Sequence, residues 1–281
     1  MTVSRRQVHD DLARHGLRPS RALGQNFVAD ANTVRRIARA AALEPGDHAV
    51  EIGAGLGSLT LALAETGAHV TAVEVDRHLV PLLRERVEPV GVRVVHADAL
   101  SVDWHDLLDA PGAMSWTLVA NLPYNVAVPV VLRVLDEAPM VRSALVMVQR
   151  EVGERMAAVP GSKAYGAVSV HVAYHSRARL VGRVPASVFV PRPRVESVLV
   201  RIDRRAEVAV DPAVVSSTTL FDVVRAGFAH RRKMLRGALA GVVPPQAFAA
   251  AGIDAAARAE SLSVEDWGRL AACVHGPSAP R

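Results

Sequence analysis

The chain has 281 residues, half of them hydrophobic and 22% charged, which excludes a disordered chain and leaves room for one sizeable domain plus a smaller one. Cys273 is the one cysteine, so an internal disulfide and a thiolate metal cluster are excluded. The net charge of +5 (33 basic, 28 acidic) comes almost wholly from Arg, and with no uncharged stretch of membrane-spanning length and no signal-type apolar core the expectation is a cytoplasmic protein without a membrane partner.

The positive charge is clustered. Residues 1–40 hold eight Arg against Asp10, Asp11 and Asp30, and residues 177–205 hold eight against Glu196 and Asp203. The stretch RAGFAHRRKMLR (225–236) has five basic residues and no acid. A high-GC codon bias accounts for Arg in place of Lys. It does not account for the clustering, which points to a polyanionic partner.

From residue 48, short β-rich runs alternate with longer amphipathic ones. HAVEIG (48–53), HVTAVEV (69–75), VRVVHAD (92–98), WTLVAN (116–121) and ALVMVQ (144–149) have the pattern of buried strands. Between them LGSLTLALAET, RHLVPLLRERV and AVPVVLRVLDEA place apolar residues at helical spacing. The alternation predicts an α/β fold: a Rossmann-like parallel sheet covered on both faces, with ligands at the carboxyl ends of its strands. After residue 150 the pattern predicts a helix, a proline-bearing loop and a last strand SVLVRI (197–202). Ala-rich helical segments follow, TLFDVVRAGFAHRRKMLRGALA (219–240) and EDWGRLAACV (265–274). The domain boundary is expected near 208, giving residues 1–207 and 208–281.

The residues closing the strands are the ones to inspect. EIGAGLGSLT puts Glu51, Gly53, Gly55 and Gly57 on a strand–helix turn, where glycine lets the backbone approach a ligand and a helix N-terminus offers amides. Ser58 stands where the dinucleotide fingerprint G-x-G-x-x-G has its third glycine, which tilts the turn away from NAD. Glu74 closes the second strand, where an acid accepts from ribose hydroxyls; a merely exposed acid is the plain alternative. Asp98 in HADAL suits an adenine amine, and Asn121 closes the fourth strand. Each has a bland explanation alone. Four in order at one sheet edge point to a ligand site.

NLPYN (121–125) suggests the chemistry. An adenine amino nitrogen is a poor nucleophile because its lone pair is delocalised into the ring. Accepting both of its N–H bonds draws it toward tetrahedral geometry. Asn121 offers a side-chain carbonyl for one bond, and the backbone carbonyl of Leu122 or Pro123 offers the other. Pro123 fixes the local backbone, and Tyr124 can stack on a base that is unpaired or flipped. Asn125 is expected to cap the helix beginning at Val126.

Together with LGQNFVAD (23–30), VEVD (73–76), VQREVGERM (148–156), KAYGAVSV (163–170), VFVPRPRVESVLVRI (188–202) and FAHRRKMLRGAL (228–239), these motifs resemble one family across about residues 18–275. It is the small-subunit ribosomal RNA adenine dimethyltransferases, the KsgA type. The resemblance implies S-adenosylmethionine as cofactor and two adjacent adenines near the 3′ end of small-subunit rRNA as target. It makes residues 1–207 the catalytic domain and 208–281 a helical RNA-binding domain. It implies cofactor contacts from Asn26, Val28, Gly53, Glu74, Asp98 and Asn121, and a catalytic role for Asn121, Leu122, Pro123 and Tyr124. Val28 stands where the family usually has Leu, and Ala54 where it often has Pro. Phe189 would be a second aromatic wall for the target base, with core packing as the plain alternative.

Large-subunit relatives of the macrolide-resistance type share the catalytic motifs. They differ in the C-terminal domain, where FAHRRKMLRGAL and GIDAAARAESLSVEDW resemble the small-subunit family. A DNA adenine methyltransferase usually carries D/N-P-P-Y, which Leu122 disfavours, and a role chiefly in ribosome assembly stays open. In such an RNA enzyme Arg231, Arg232, Lys233 and Arg236 are expected to contact phosphates of a small ribosomal subunit precursor. His171 and His175 have the spacing of a helical metal pair, but no acid stands between them and no metal is assigned. A monomer is expected.

Overall fold

The computed structural model describes residues 5–274. The chain opens with α1 (Arg5–Arg14), a two-residue strand β1 (Phe27–Val28) and α2 (Ala31–Ala41). Strands β2 (His48–Ile52), β3 (His69–Glu74), β4 (Arg93–His96), β5 (Trp116–Asn121) and β6 (Val141–Gln149) follow. Between them lie α3 (Ser58–Ala64), α4 (Val80–Val87), α5 (Trp104–Leu107) and α6 (Ala127–Glu137). After β6 come α7 (Arg150–Met156), α8 (Ala167–His175), β7 (Ser176–Val184), β8 (Phe189–Val190) and β9 (Ser197–Arg204). The last helices are α9 (Ser217–Ala229), α10 (Leu235–Ala238), α11 (Pro245–Ala250) and α12 (Val264–Ala272).

Seven strands form one sheet in the order β4-β3-β2-β5-β6-β9-β7. The first five run parallel, while β9 lies antiparallel to β6, from Ser143↔Asp203 to Gln149↔Ser197. The central strands are buried on both faces, which is why they appear in the sequence as unbroken apolar runs. Helix α2 buries Val34, Ile37, Ala38 and Ala41, one face at helical spacing, and the Asp30 carboxylate caps it by accepting from the Thr33 amide at 2.7 Å. From β2 the chain continues to β3 on one side and β5 pairs on the other. The carboxyl ends of β2 and β5 therefore flank the topological switch point, where such sheets bind ligands.

The described residues up to Gly153, with Arg179–Arg204, form one compact unit; Glu154–Ala178 and the described residues from Arg205 form a second. The expected single seam near 208 is thus replaced by three. Residues 154–178 pack with the C-terminal helices because Val170 and Tyr174 of α8 share a core with Leu220, Val224, Leu235 and Trp267. The helix predicted over 219–240 is broken: α9 ends at Ala229, and the chain turns through His230–Met234, where Leu235 N–H donates to Ala257 C=O. Two strands, β7 and β8, lie in the segment expected to be helix and loop. Among the described residues no helix is long and apolar enough to cross a membrane.

Candidate active site

The loop after β2 passes through Gly53, Gly55 and Gly57 at φ of 74°, 56° and 77°, in the left-handed region that glycine enters without strain. The Gly53 and Ala54 amides both donate to the Val73 carbonyl, at 2.9 and 3.2 Å, which ties the loop to β3. Glu74 then closes β3 with both carboxylate oxygens engaged. Gly55 N–H donates to Oε2 at 2.7 Å and Asp76 N–H to Oε1 at 2.9 Å. Burial pushes the Glu74 carboxyl up, and these two amides partly restrain it. Glu51 on β2 is 1% exposed. Burial, with Glu74 nearby, pushes its carboxyl up to about 8.

These groups line a cleft that also receives the strap of residues 23–28 and the NLPY turn after β5. Its empty space is about 740 Å³ with the open mouth included. Three polar side chains clip the strap in place. Asn121 Nδ2 donates to the Asn26 carbonyl at 2.9 Å, Gln25 Nε2 to Asp76 Oδ2 at 2.7 Å, and Asn125 Nδ2 to the Ala22 carbonyl at 3.4 Å. Strand β1, at the end of the strap, pairs antiparallel with β8. A carbonyl partner fixes the Asn121 amide with nitrogen toward the strap, so its Oδ1 stays available as an acceptor. The Pro123 carbonyl accepts from Val126 N–H at 3.1 Å. Tyr124, half-buried, shares a 2.8 Å hydrogen bond between its hydroxyl and Ser197 Oγ, and burial raises its pKa.

The model of the family described as ribosomal RNA adenine dimethylase matches residues 17–275. The chain belongs to that family. "Ribosomal RNA small subunit methyltransferase A" of Kineococcus radiotolerans is 46% identical over 99% of this chain and 93% of its own. The protein of the same name from Streptomyces avermitilis is 48% identical over 94% and 91%. Among solved structures, the 23S rRNA methyltransferase ErmE aligns over 89% of this chain and 99% of its own, with a TM-score of 0.68 and 26% identity. A dimethyladenosine transferase from Plasmodium falciparum gives a TM-score of 0.72 over 86% and 94% at 22% identity, a likeness of fold. The sheet is thus the Rossmann-like sheet of S-adenosylmethionine-dependent methyltransferases, and the protein is a ribosomal RNA adenine dimethyltransferase.

One cleft brings together Asn26, Val28, Gly53, Glu74, Asn121, Leu122, Pro123 and Tyr124. Asp98 lies two residues past β4, exposed and outside the cleft lining, with Oδ1 accepting from Leu100 N–H at 2.9 Å. Phe189 corrects its expectation. It is 0% exposed, paired to Val28 and enclosed in a core with Val34, Ile37, Met147 and Leu199, so no ring face is open to a base. Asn125 is a second correction: it makes no cap to α6 and instead holds the strap. Arg231, Arg232, Lys233 and Arg236 are all exposed on the second unit. Arg231 is committed to Glu260 Oε2 at 2.9 Å and to the Lys163 carbonyl at 2.6 Å, which leaves Arg232, Lys233 and Arg236 as the cations of that turn without a side-chain partner among the described residues. The His171 ring stacks on Phe221 with centroids 3.9 Å apart. Gln25 and Ser197 support the cleft through their hydrogen bonds and Glu51 lines it, and sequence reasoning assigned none of the three a role.

Proposed function

We propose that this dimethyltransferase acts on small-subunit (16S) ribosomal RNA, as the name of its relatives has it. Its targets are two adjacent adenine amines in a hairpin loop near the 3′ end, methylated twice each, late in small-subunit biogenesis. On this reading the protein works in the cytoplasm as a monomer. The unit built on the sheet does the chemistry, and Arg232, Lys233 and Arg236 of the second unit contact RNA phosphates.

The cleft residues fit S-adenosylmethionine. The lining contains two carboxyls, Glu51 and Glu74, and no Lys, Arg or His, in a chain with 33 basic residues. Such a lining suits a cation bearing sugar hydroxyls and would repel a pyrophosphate. Glu74, fixed by two amides, would hold the ribose; Asp98, with one oxygen uncommitted, would accept from the cofactor's adenine. Asn26, Val28 and Gly53 would line the remainder. Bound there, S-adenosylmethionine supplies a methyl group on a positively charged sulfur.

The observation that carries the mechanism is the fixed orientation of Asn121. Its Oδ1 and the Leu122 carbonyl would accept the two N–H bonds of the target amine, turning the nitrogen lone pair out of the ring plane. Tyr124, held through Ser197, would stack on the base. Positioning is the main contribution, because the methyl group needs no further activation. The transfer would exchange the methyl–sulfur bond for a new N–C bond and release the cofactor as its neutral thioether, while the nitrogen would give one proton to solvent. The monomethylated amine keeps one N–H for the same acceptor in the second transfer. Incubation with labelled cofactor and undermethylated small subunits tests the assignment: label is expected on two adjacent adenines, dimethylated, in small-subunit RNA. Label only in large-subunit RNA, or none, would overturn it.

A further inference from the structure

Beyond its share in the acidic lining, Glu51 has no stated contact in that mechanism, yet it lines the cleft while being almost wholly buried. Its Oε2 has no hydrogen-bond partner among the described residues. Thr60 Oγ1 lies near enough to offset part of the burial cost without a well-formed hydrogen bond, and it too is unpartnered. A carboxyl kept ionised there would be an unpaired buried charge, and one kept neutral leaves a buried oxygen unsatisfied. Either state is relieved when a cation enters the cleft.

Among the described residues, none that lines the cleft is a cation that could do this from within. On β3, Glu74 carries the same sign, and Asp76 beyond it is held by Gln25. Helix α3 brings Ser58 and Thr60, while the strap and the turn after β5 bring the neutral amides of Gln25, Asn26 and Asn121. Behind the loop, Arg86 of α4 donates to the Leu56 carbonyl and is already paired with Asp11 of α1.

We propose that Glu51 reads the positive charge of the ligand in this cleft, giving its proton to solvent when a cation binds and recovering it when the cation leaves. The inference rests on the cleft being the S-adenosylmethionine site. The charge read is the sulfonium or the α-ammonium of that cofactor; both are cations that a buried carboxylate would pair with. Because the free carboxyl is mostly protonated near pH 7, binding releases a proton, and affinity rises with pH until about 8 before levelling.

Titration calorimetry in two buffers of different ionisation heat tests this, using S-adenosylmethionine, S-adenosylhomocysteine and 5′-methylthioadenosine with the wild type and Glu51→Gln. The proton count is the difference between wild type and variant, which cancels titration of the ligand itself. Near pH 7, about one proton is expected to be released with S-adenosylmethionine. None is expected with 5′-methylthioadenosine, which carries neither cation. Release with S-adenosylhomocysteine as well places the charge read on the ammonium; release with S-adenosylmethionine alone places it on the sulfonium. The variant is expected to bind 5′-methylthioadenosine within about twofold of wild type, and S-adenosylmethionine about tenfold or more weakly. Equal proton counts in wild type and variant, or release with 5′-methylthioadenosine, would overturn the proposal while leaving the cofactor site standing. Failure of every ligand to bind wild type would overturn the cofactor site itself.

Discussion

At Tyr124 the ring and the hydroxyl have separable jobs. The hydroxyl is anchored on Ser197, a buried residue at the start of β9, and the ring is what would meet the base. Tyr124→Phe keeps the ring and loses one hydrogen bond worth about 1 kcal/mol, so kcat/KM is expected to fall by roughly fivefold. Tyr124→Ala loses a stacking contact of about 1–3 kcal/mol as well and is expected to fall further, by tenfold or more. Steady-state kinetics on undermethylated subunits would check the pair; equal losses would mean that anchoring, not stacking, is what matters. The Asn121 and Tyr124 positions were legible because polar residues punctuate an apolar run. Ser197 was not, since its partner lies 73 residues away and only the sheet brings them together. The wall expected at Phe189 came from the family resemblance, whereas β1–β8 pairing sinks the residue into the core.

The strap is the element on which the site depends, and Gly24 is its tightest point. It sits at φ 62°, and an added Cβ would come within 2.8 Å of Asn125 Oδ1 and 3.1 Å of Pro123 Cβ. Gly24→Ala is therefore expected to lift the strap, to weaken the Asn121–Asn26 hydrogen bond, and to reduce cofactor affinity by roughly 5- to 30-fold, equivalent to about 1–2 kcal/mol of strain. Gly16 is the control. It has φ 63° with nothing within 4 Å of an added Cβ, so Gly16→Ala carries the same backbone strain without the collision. Cofactor binding by calorimetry separates them, and equal losses would show that strap seating is not the cause. At this scale the parallel strands and their helices were legible from periodicity, whereas β7 was not. Its outward residues Leu180 and Val181 interrupt the alternation, and Arg177, Arg179 and Arg183 make the segment resemble a charged loop. The break between α9 and α10 was hidden because the pairing of Met234 with Arg258 is a long-range event.

Across the whole molecule, the basic net charge does not extend to the cleft. The chain is basic overall, yet no Lys, Arg or His is among the described residues that line the ligand cleft, which is acidic. Sequence totals do not show this, because the fold gathers Glu51 and Glu74 from adjacent strands into one buried place. The gathering has a consequence for stability. Burial holds the Glu51 carboxyl at about 8 in the folded protein, against an ordinary value of 4.5. Between those values the folded state holds a proton that the unfolded chain has released. Its contribution is therefore fully present below about pH 4.5, is lost as pH rises toward about 8, and stays lost above, with a slope of at most about 1.4 kcal/mol per pH unit. Glu74, raised in the same direction, adds to the trend. Without cofactor, the wild-type melting temperature is expected to fall between about pH 6 and pH 8, by roughly 5 °C from Glu51 at a few degrees per kcal/mol. Glu51→Gln cannot ionise. Its melting curve is expected to be flatter over that range, matching wild type most closely in acid and exceeding it at pH 8. Scanning calorimetry of both proteins across that range checks this: parallel curves would place the titrating group elsewhere. Added S-adenosylmethionine should narrow the gap at pH 8, because a bound cation stabilises the ionised carboxylate that the bare cleft cannot tolerate.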